Sequence, residues 1–353
     1  MEIQKLVRLN IRNLKPYSSA RSEFVGTAAV MLDANENGHD LSGEGLNRYP
    51  GPLQHAVKAR LSALKSVPAE SIFTGNGSDE AIDLLFRIFC EPGHDEAVIC
   101  PPTYGMYEVL AAIHRTPLKK VPLDAGFGLR PEAIFAAVTR RTKLLFLCSP
   151  NNPSGNLADP EAVALLLRKF PGIVVVDEAY IDFAEQKSWS LQLPEFPNLV
   201  VLQTLSKAWA LAGARFGMAF ASPQITGLFD KVKYPYNVNM LTQRKVLEAL
   251  AEPEKTHAAV VNILAEKSRL REALLKFSFV KTVYPGDANF LLVKFEDARA
   301  VFEHLKRQSI VVRDRSGELH CGNCLRITIG TKSENVRMVE ALAGFNGSLG
   351  LES

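Results

Sequence analysis

Short apolar runs alternate with segments of helical periodicity through the middle of the chain. The runs are four or five residues long and mostly rich in Val, Ile, Leu or Phe, which is typical of strands buried on both faces of a sheet. Between several of them lie helical segments, such as residues 160–170, with Ala162, Leu165 and Leu166 at helical spacing. This alternation predicts an α/β fold with a mainly parallel sheet flanked by helices. The runs cover residues 97–100, 144–148, 173–176, 199–202 and 217–220.

The pattern changes after about residue 265, where strand-like runs surround one helical segment near residues 296–308. We therefore expect a large domain over residues 40–265 and a smaller α+β domain over residues 266–353. The strands of the smaller domain are expected at residues 290–295, 310–312 and 325–329.

Polar segments begin where four of the predicted strands end. In open α/β sheets, ligands bind beyond the carboxyl ends of the strands. Four such segments at four strand ends predict a ligand site at this edge of the sheet. They cover residues 101–104, 149–155, 177–180 and 204–207.

Composition and charge exclude several classes of function. The chain has 353 residues, a formal net charge of +3, and 47% hydrophobic residues. Basic and acidic residues are interspersed, so neither a nucleic-acid surface nor a membrane surface is expected. The sequence lacks an apolar stretch of the roughly 18 residues that a membrane span needs, and we expect a cytoplasmic protein.

The five cysteines do not predict a disulfide framework or a metal site. Cys321 and Cys324 form a lone C-x-x-C beside His320, and no second pair of cysteines supplies the four ligands that zinc usually needs. Buried, reduced thiols are the expected state, rather than a metal or redox centre.

Three features of the large domain carry candidate chemistry. Lys207 precedes seven uncharged residues, followed by Arg215. Burial and nearby positive charge lower the pKa of a lysine amine, as a Schiff base requires, although a surface lysine is the alternative. Asp177 ends an apolar run and could keep a pyridine nitrogen protonated, or it could cap a helix. A glycine-containing loop at residues 75–80 precedes an apolar segment and suits a phosphate, or it is an ordinary helix start.

Taken together, these motifs resemble the fold-type I pyridoxal-phosphate (PLP) enzymes, specifically the aminotransferases. The segments at residues 149–155, 177–180 and 204–207, followed by Arg215, occur in the order typical of that family. Further segments resemble its histidinol-phosphate aminotransferase branch, and the resemblance runs from about residue 10 to about residue 345. These segments are residues 13–21, 32–37, 47–50, 311–315 and 325–331.

The resemblance implies a role for each matching residue. Lys207, Asp177 and Tyr180 are the catalytic candidates: Lys207 would hold PLP and move a proton, and Asp177 would pair with its ring nitrogen. Tyr180 and Asn152 would contact the 3′-oxygen of the ring. Tyr104 would stack on the ring. The phosphate site would be formed or supported by Gly77, Ser78, Asp79, Thr204, Ser206 and Arg215.

The resemblance also implies an obligate homodimer whose two active sites are shared. Tyr49 would reach the cofactor phosphate of the partner subunit. Tyr17, Arg313 and Arg326 would hold the substrate phosphate, and Arg326 would also bind the carboxylate of glutamate. The N-terminal residues 1–39 would belong to the small domain. The expected substrates are histidinol phosphate and glutamate or 2-oxoglutarate, in histidine biosynthesis.

Two departures and three alternatives accompany this interpretation. Gly38 stands where the family usually has proline, which bears on the loop that covers the substrate, and Ser154 stands where threonine is common. An aromatic amino-acid aminotransferase has the same core, and a threonine-phosphate decarboxylase resembles the same branch. A PLP-fold binding or regulatory module is the third alternative, although the chain keeps the presumed catalytic lysine.

Overall fold

The structure, a computed structural model, describes residues 2–17 and 30–349. A seven-stranded sheet forms the large domain, in the spatial order β1-β7-β6-β5-β4-β2-β3. Strands β2 to β6 run parallel, whereas β7 is antiparallel to both of its neighbours. The strands are β1 (Ile72–Asn76), β2 (Glu96–Ile99), β3 (Leu118–Lys120), β4 (Thr142–Cys148), β5 (Ile173–Asp177), β6 (Leu199–Thr204) and β7 (Phe216–Ala221). All five apolar runs that the sequence predicts as strands are confirmed.

Helices cover both faces of this sheet, because the strands are apolar on both sides. One face packs against α1 (Leu9–Asn13), α3 (Ser78–Phe89), α4 (Met106–Ile113) and α7 (Pro223–Val232). The other face packs against α2 (His55–Lys65), α5 (Pro131–Ala137), α6 (Pro160–Lys169) and α8 (Met240–Leu250). The predicted helix at residues 160–170 corresponds to α6, whose first turn is capped by the Asp159 carboxylate.

A second, smaller sheet lies in the C-terminal part of the chain. It is antiparallel, in the order β10-β11-β9-β8, and it packs on helices at its own apolar core. Its elements are α9 (Pro253–Leu274), β8 (Val280–Val283), β9 (Phe290–Phe295), α10 (Ala298–Arg307), β10 (Arg313–Asp314), β11 (Cys324–Thr328) and α11 (Lys332–Leu349). Short 3-10 helices occur at Ile3–Lys5, Ala69–Ser71, Ile181–Phe183, Trp189–Gln192 and Ala212–Ala214.

Two sequence-based expectations about the small domain need correction. Residues 310–312 do not form a strand, and only the next two residues pair with β11. In the part of residues 1–39 that the structure describes, Ile3, Val7 and Ile11 join the large-domain core beside α3, and the Arg8 amide donates to the Ile88 carbonyl at 3.0 Å. The boundary between residues 265 and 266 falls inside α9 and stays a prediction.

Membrane insertion through a helix is not supported in the part of the chain that the structure describes, since no helix there is both long and apolar enough to cross a bilayer.

Candidate functional site

A cavity of about 130 Å³ opens beyond the carboxyl ends of β4, β5 and β6, where the polar segments were expected to meet. It brings together residues that lie far apart in sequence, from the start of α3 to the start of β7. Its lining is Gly77, Ser78, Asp79, Tyr104, Cys148, Asn152, Asp177, Ala179, Tyr180, Thr204, Ser206, Lys207 and Arg215. Eleven of these residues are cofactor or catalytic candidates from the sequence.

A buried carboxylate lies at the base of the cavity. Asp177 is the last residue of β5, and its side chain accepts hydrogen bonds from the Tyr107 hydroxyl at 2.6 Å and the Ala179 amide at 3.1 Å. Burial raises the pKa of Asp177 to about 6, although these hydrogen bonds and the nearby Lys207 act in the opposite direction. A positive group bound beside this carboxylate would lower its pKa and favour the ionised form.

A lysine with a lowered pKa also lines the cavity. Lys207 lies in the turn after β6, and its Nζ is 5.6 Å from the centroid of the Tyr180 ring. Burial lowers the pKa of Lys207 most, and the positive charges of Arg326 and Arg215 lower it further. A larger fraction of this amine is neutral than for an ordinary lysine, which is the state a nucleophilic or proton-accepting amine needs.

The start of α3 forms an anion-binding cradle with the end of β6 and the start of β7. Gly77 has a φ of +74° and precedes the helix, whose first-turn N–H groups have no partner within the helix and no side-chain cap. Gly77, Ser78 and Asp79 all line the cavity. The Thr204 hydroxyl donates to the Ser206 hydroxyl at 2.9 Å. Arg215 lies 3.6 Å from the Asp79 carboxylate and contributes its guanidinium to the same edge. Hydroxyls, free N–H groups and a guanidinium are the groups that bind phosphate.

The remaining walls are aromatic and amide groups. The Tyr104 hydroxyl donates to Asp79 at 3.1 Å. Tyr180 packs edge-on against Phe290 of β9, with ring centroids 5.2 Å apart. Burial raises the pKa of the Tyr180 phenol to about 12, so it is a hydrogen-bond donor at neutral pH.

Arg326 brings the small domain to the cavity. It lies on β11, donates to the Asn152 side-chain oxygen, and places its guanidinium carbon 5.2 Å from the centroid of the Phe290 ring. Burial lowers the pKa of Arg326, and the charges of Arg315 and Arg313 also lower it. The three arginines concentrate positive charge here, which Glu318 offsets in part, and this charge favours an anionic ligand.

Four predicted site residues do not line this cavity within one chain. Arg326 reaches it only through its contact with Asn152. Tyr49 stacks on Tyr236, with ring centroids 4.6 Å apart, and lines a separate groove. Arg313 is exposed, on the strand next to Arg326 and in register with it. Tyr17 is 73% exposed.

Sequence reasoning missed four residues that shape the cavity. Cys148 and Ala179 line it, Tyr107 bonds Asp177, and Gly217 lets β7 approach the start of α3. Cys148 directly precedes the polar segment 149–155, and Ala179 lies inside the segment 177–180, so the sequence did carry a signal for both. The C-x-x-C cysteines are free and buried, and burial raises the pKa of Cys321 to about 12. No cluster of metal-binding side chains occurs among the residues that the structure describes.

Comparison with known proteins identifies the family. The profile of aminotransferase class I and II matches residues 20–342. A histidinol-phosphate aminotransferase of Parabacteroides distasonis is 53% identical over 97% of this chain and 98% of its own length, and one of Cytophaga hutchinsonii is 50% identical over 96% and 98%. The solved histidinol-phosphate aminotransferase of Sinorhizobium meliloti, in complex with pyridoxal-5′-phosphate, has a TM-score of 0.78 at 25% identity, over 86% of this chain and 84% of that one. The chain therefore belongs to the class I and II aminotransferases, in the histidinol-phosphate aminotransferase branch of that family.

Proposed function

We propose that this chain is a PLP-dependent aminotransferase that converts histidinol phosphate and 2-oxoglutarate reversibly to imidazole acetol phosphate and glutamate, in histidine biosynthesis. The observation that carries the proposal is the cavity that joins Lys207, Asp177 and the cradle at Gly77. The branch assignment supports the substrate, since relatives about half identical over nearly their full length are histidinol-phosphate aminotransferases.

The residues of the cavity fit PLP in chemical type and arrangement. A buried carboxylate, Asp177, suits the ring nitrogen, and an amine of lowered pKa, Lys207, suits a covalent link. When bound, PLP supplies an electron sink that stabilises negative charge on the substrate carbon. We assign the ring face to Tyr104 and the 3′-oxygen to Asn152 and Tyr180. The phosphate is assigned to the cradle formed or supported by Gly77, Ser78, Asp79, Thr204, Ser206 and Arg215.

Lys207 also has the properties of a proton carrier. Its pKa is lowered chiefly by burial, so the free amine can accept a proton from a substrate carbon and release it again. The amine lies over the ring of Tyr180. Asp177 has a different role from Lys207. Its carboxylate, held by the Tyr107 hydroxyl, would keep the ring nitrogen of the cofactor protonated and would not itself transfer a proton.

The substrate anions are assigned to the arginines beside the cavity. Histidinol phosphate carries a phosphate and no α-carboxylate, whereas glutamate carries carboxylates only. The planar guanidinium of Arg326 can pair with either anion. Arg313, in register with it on β10, and Tyr17 would add contacts to the phosphate.

We further propose a homodimer in which Tyr49 completes the partner subunit's site. The loop that carries Tyr49 is held rigidly within its own chain: the Lys233 ammonium donates to the Pro52 carbonyl at 2.7 Å, and Tyr49 stacks on Tyr236. Tyr49 is nevertheless 50% exposed, beside the half-exposed Leu241. Exposed apolar side chains that line one groove, here Leu46, Tyr49 and Leu241, favour a protein interface. A cytoplasmic location and the absence of nucleic-acid partners remain predictions from the sequence.

The test is a transamination assay with purified protein and 2-oxoglutarate. We expect a higher kcat/KM for histidinol phosphate than for phenylalanine. A preference for phenylalanine would favour an aromatic amino-acid aminotransferase, and carbon dioxide released from threonine phosphate would favour a decarboxylase. Bound PLP without turnover of any of the three amines would favour a binding or regulatory module.

A further inference from the structure

We propose that Tyr107 is a positioning residue whose phenol holds the Asp177 carboxylate ionised and correctly oriented for the ring nitrogen of the cofactor. The inference rests on the proposed function in one respect, that PLP binds above Asp177. Tyr107 does not line the cavity, so it acts through the carboxylate and not on the cofactor. No sequence motif of the family described above includes it.

The hydrogen bonds that the Asp177 carboxylate accepts show what the Tyr107 phenol contributes. Among the described residues, Asp177 accepts one hydrogen bond at each oxygen: the Ala179 amide donates to Oδ1 at 3.1 Å, and the Tyr107 hydroxyl donates to Oδ2 at 2.6 Å. These two donors fix the plane of the carboxylate. The shorter bond comes from Tyr107, and a short hydrogen bond to a charged acceptor is among the stronger kinds in proteins.

Packing prevents the phenol from moving away. Tyr107 is fully buried on α4, stacks on Phe146 with ring centroids 4.9 Å apart, and meets the edge of Tyr104 at 5.5 Å. Tyr104 is the residue assigned to the cofactor ring face. The same helix start therefore fixes both the ring face and, through Tyr107, the group assigned to the ring nitrogen. Such pre-organisation holds a site to within fractions of an ångström.

Electrostatics explain why the ionised form needs this donor. Burial raises the pKa of Asp177 to about 6, and the Tyr107 hydrogen bond is the largest contribution that lowers it. Burial also keeps the Tyr107 phenol protonated, because its pKa lies well above the usual value. The other titratable groups that face this pair are Asp79, Tyr104, Cys148, Tyr180 and Lys207.

The first test measures thermal unfolding of the cofactor-free full chain from pH 5 to pH 9. It compares four proteins: the parent, Tyr107→Phe, Asp177→Asn and the double variant. Because the pKa of Asp177 is raised in the folded state, its contribution to stability falls as pH rises from about 4 to about 6. Loss of a charged hydrogen bond should move the upper end of this window by about one to two pH units.

Tyr107→Phe should therefore show a deficit that is small at pH 5 and grows by roughly 2–5 °C in unfolding midpoint by pH 8. In the Asp177→Asn background, the same substitution should cost a smaller amount that does not vary with pH. A pH-independent deficit, or an equal deficit with and without Asp177, would overturn the inference. A Tyr107→Phe protein that folds at pH 5 and not at pH 8 would support it, and failure to fold in both backgrounds at every pH would contradict it.

The second test measures the apparent Kd for PLP itself at pH 8. Tyr107→Phe should weaken binding about tenfold or more relative to the parent. Equal affinity of the two proteins would contradict the positioning role. A parent chain that does not bind PLP would refute the proposed function instead, and the pH dependence of the cofactor-free protein would still decide whether Tyr107 controls Asp177.

Discussion

A substitution at Gly217 tests the assembly of the phosphate cradle. Gly217 lies on β7, paired with Gly75 on one side and Thr204 on the other. A Cβ atom at this position would lie 2.1 Å from the Ser78 amide nitrogen and 2.2 Å from the Gly77 carbonyl carbon. These are backbone atoms, so no side-chain rotation relieves the overlap. Gly217→Ala must separate the start of α3 from β7.

The magnitude follows from the distances. Ordinary van der Waals contact begins near 3.4 Å, so the two segments must move apart by more than an ångström. Overpacking of this kind costs about 1–3 kcal/mol of folding free energy. A displacement of about 1 Å in a binding site costs up to roughly a hundredfold in activity. We therefore expect Gly217→Ala to unfold at a lower temperature and to bind PLP at least about tenfold more weakly.

Gly227→Ala is the matched control. Gly227 lies in α7, and a Cβ atom there would meet nothing within 4 Å. Alanine is about 0.5–1 kcal/mol more favourable than glycine within a helix, so this variant should be equally or more stable and bind PLP normally. The assay is titration of each cofactor-free protein with PLP, alongside thermal unfolding. Parental affinity and stability in Gly217→Ala would refute the proposed close approach of β7 and α3.

Three further predictions concern the proposed roles of individual residues. Asp177→Asn should fold, with an unfolding midpoint at pH 8 no lower than that of the parent, because a buried charge is removed. Its transamination rate should fall strongly, and a parental rate would contradict the assigned role. Arg313→Ala should reduce kcat/KM for histidinol phosphate by about ten- to a hundredfold and affect kcat/KM for glutamate little, whereas Arg326→Ala should lower both. Equal losses for the two substrates in Arg313→Ala would exclude a phosphate-specific role for Arg313. Mixing inactive Lys207→Ala chains with inactive Tyr49→Ala chains should restore part of the activity in confirmed heterodimers, and no recovery would count against shared sites.

Five strands of the large domain were predictable because they are buried on both faces, and each is therefore a continuous apolar run in the sequence. Strand β1 was not, since Gly75 and Asn76 at its end look like part of a turn. They remain in the sheet because β7 pairs with them from the other side. The segment before Arg313 is apolar, yet only Arg313 and Asp314 pair with β11. In both places tertiary pairing decides the structure, and local composition does not report it.

The sequence identified the cavity residues that belong to short contiguous motifs. It did not identify residues such as Tyr107, which reach the site from another secondary-structure element. Asp177 and Lys207 follow strands that point to one edge of the sheet, so the alternation of strands and helices brings them together. Tyr107 faces Asp177 from a helix that is 70 positions away in sequence, and nothing in its local pattern shows that orientation. Tyr49 lines a separate groove and not the cavity of its own chain. Its predicted contact with a cofactor phosphate would therefore require a second subunit.

The most direct measurement locates PLP on the chain. The PLP-loaded protein is reduced with borohydride, digested and mapped by mass spectrometry. We expect one modified peptide, with the label on Lys207, and no label after the same treatment of Lys207→Ala. A label on a different lysine, or none on a protein that transaminates histidinol phosphate, would contradict the assignment of this cavity as the active site.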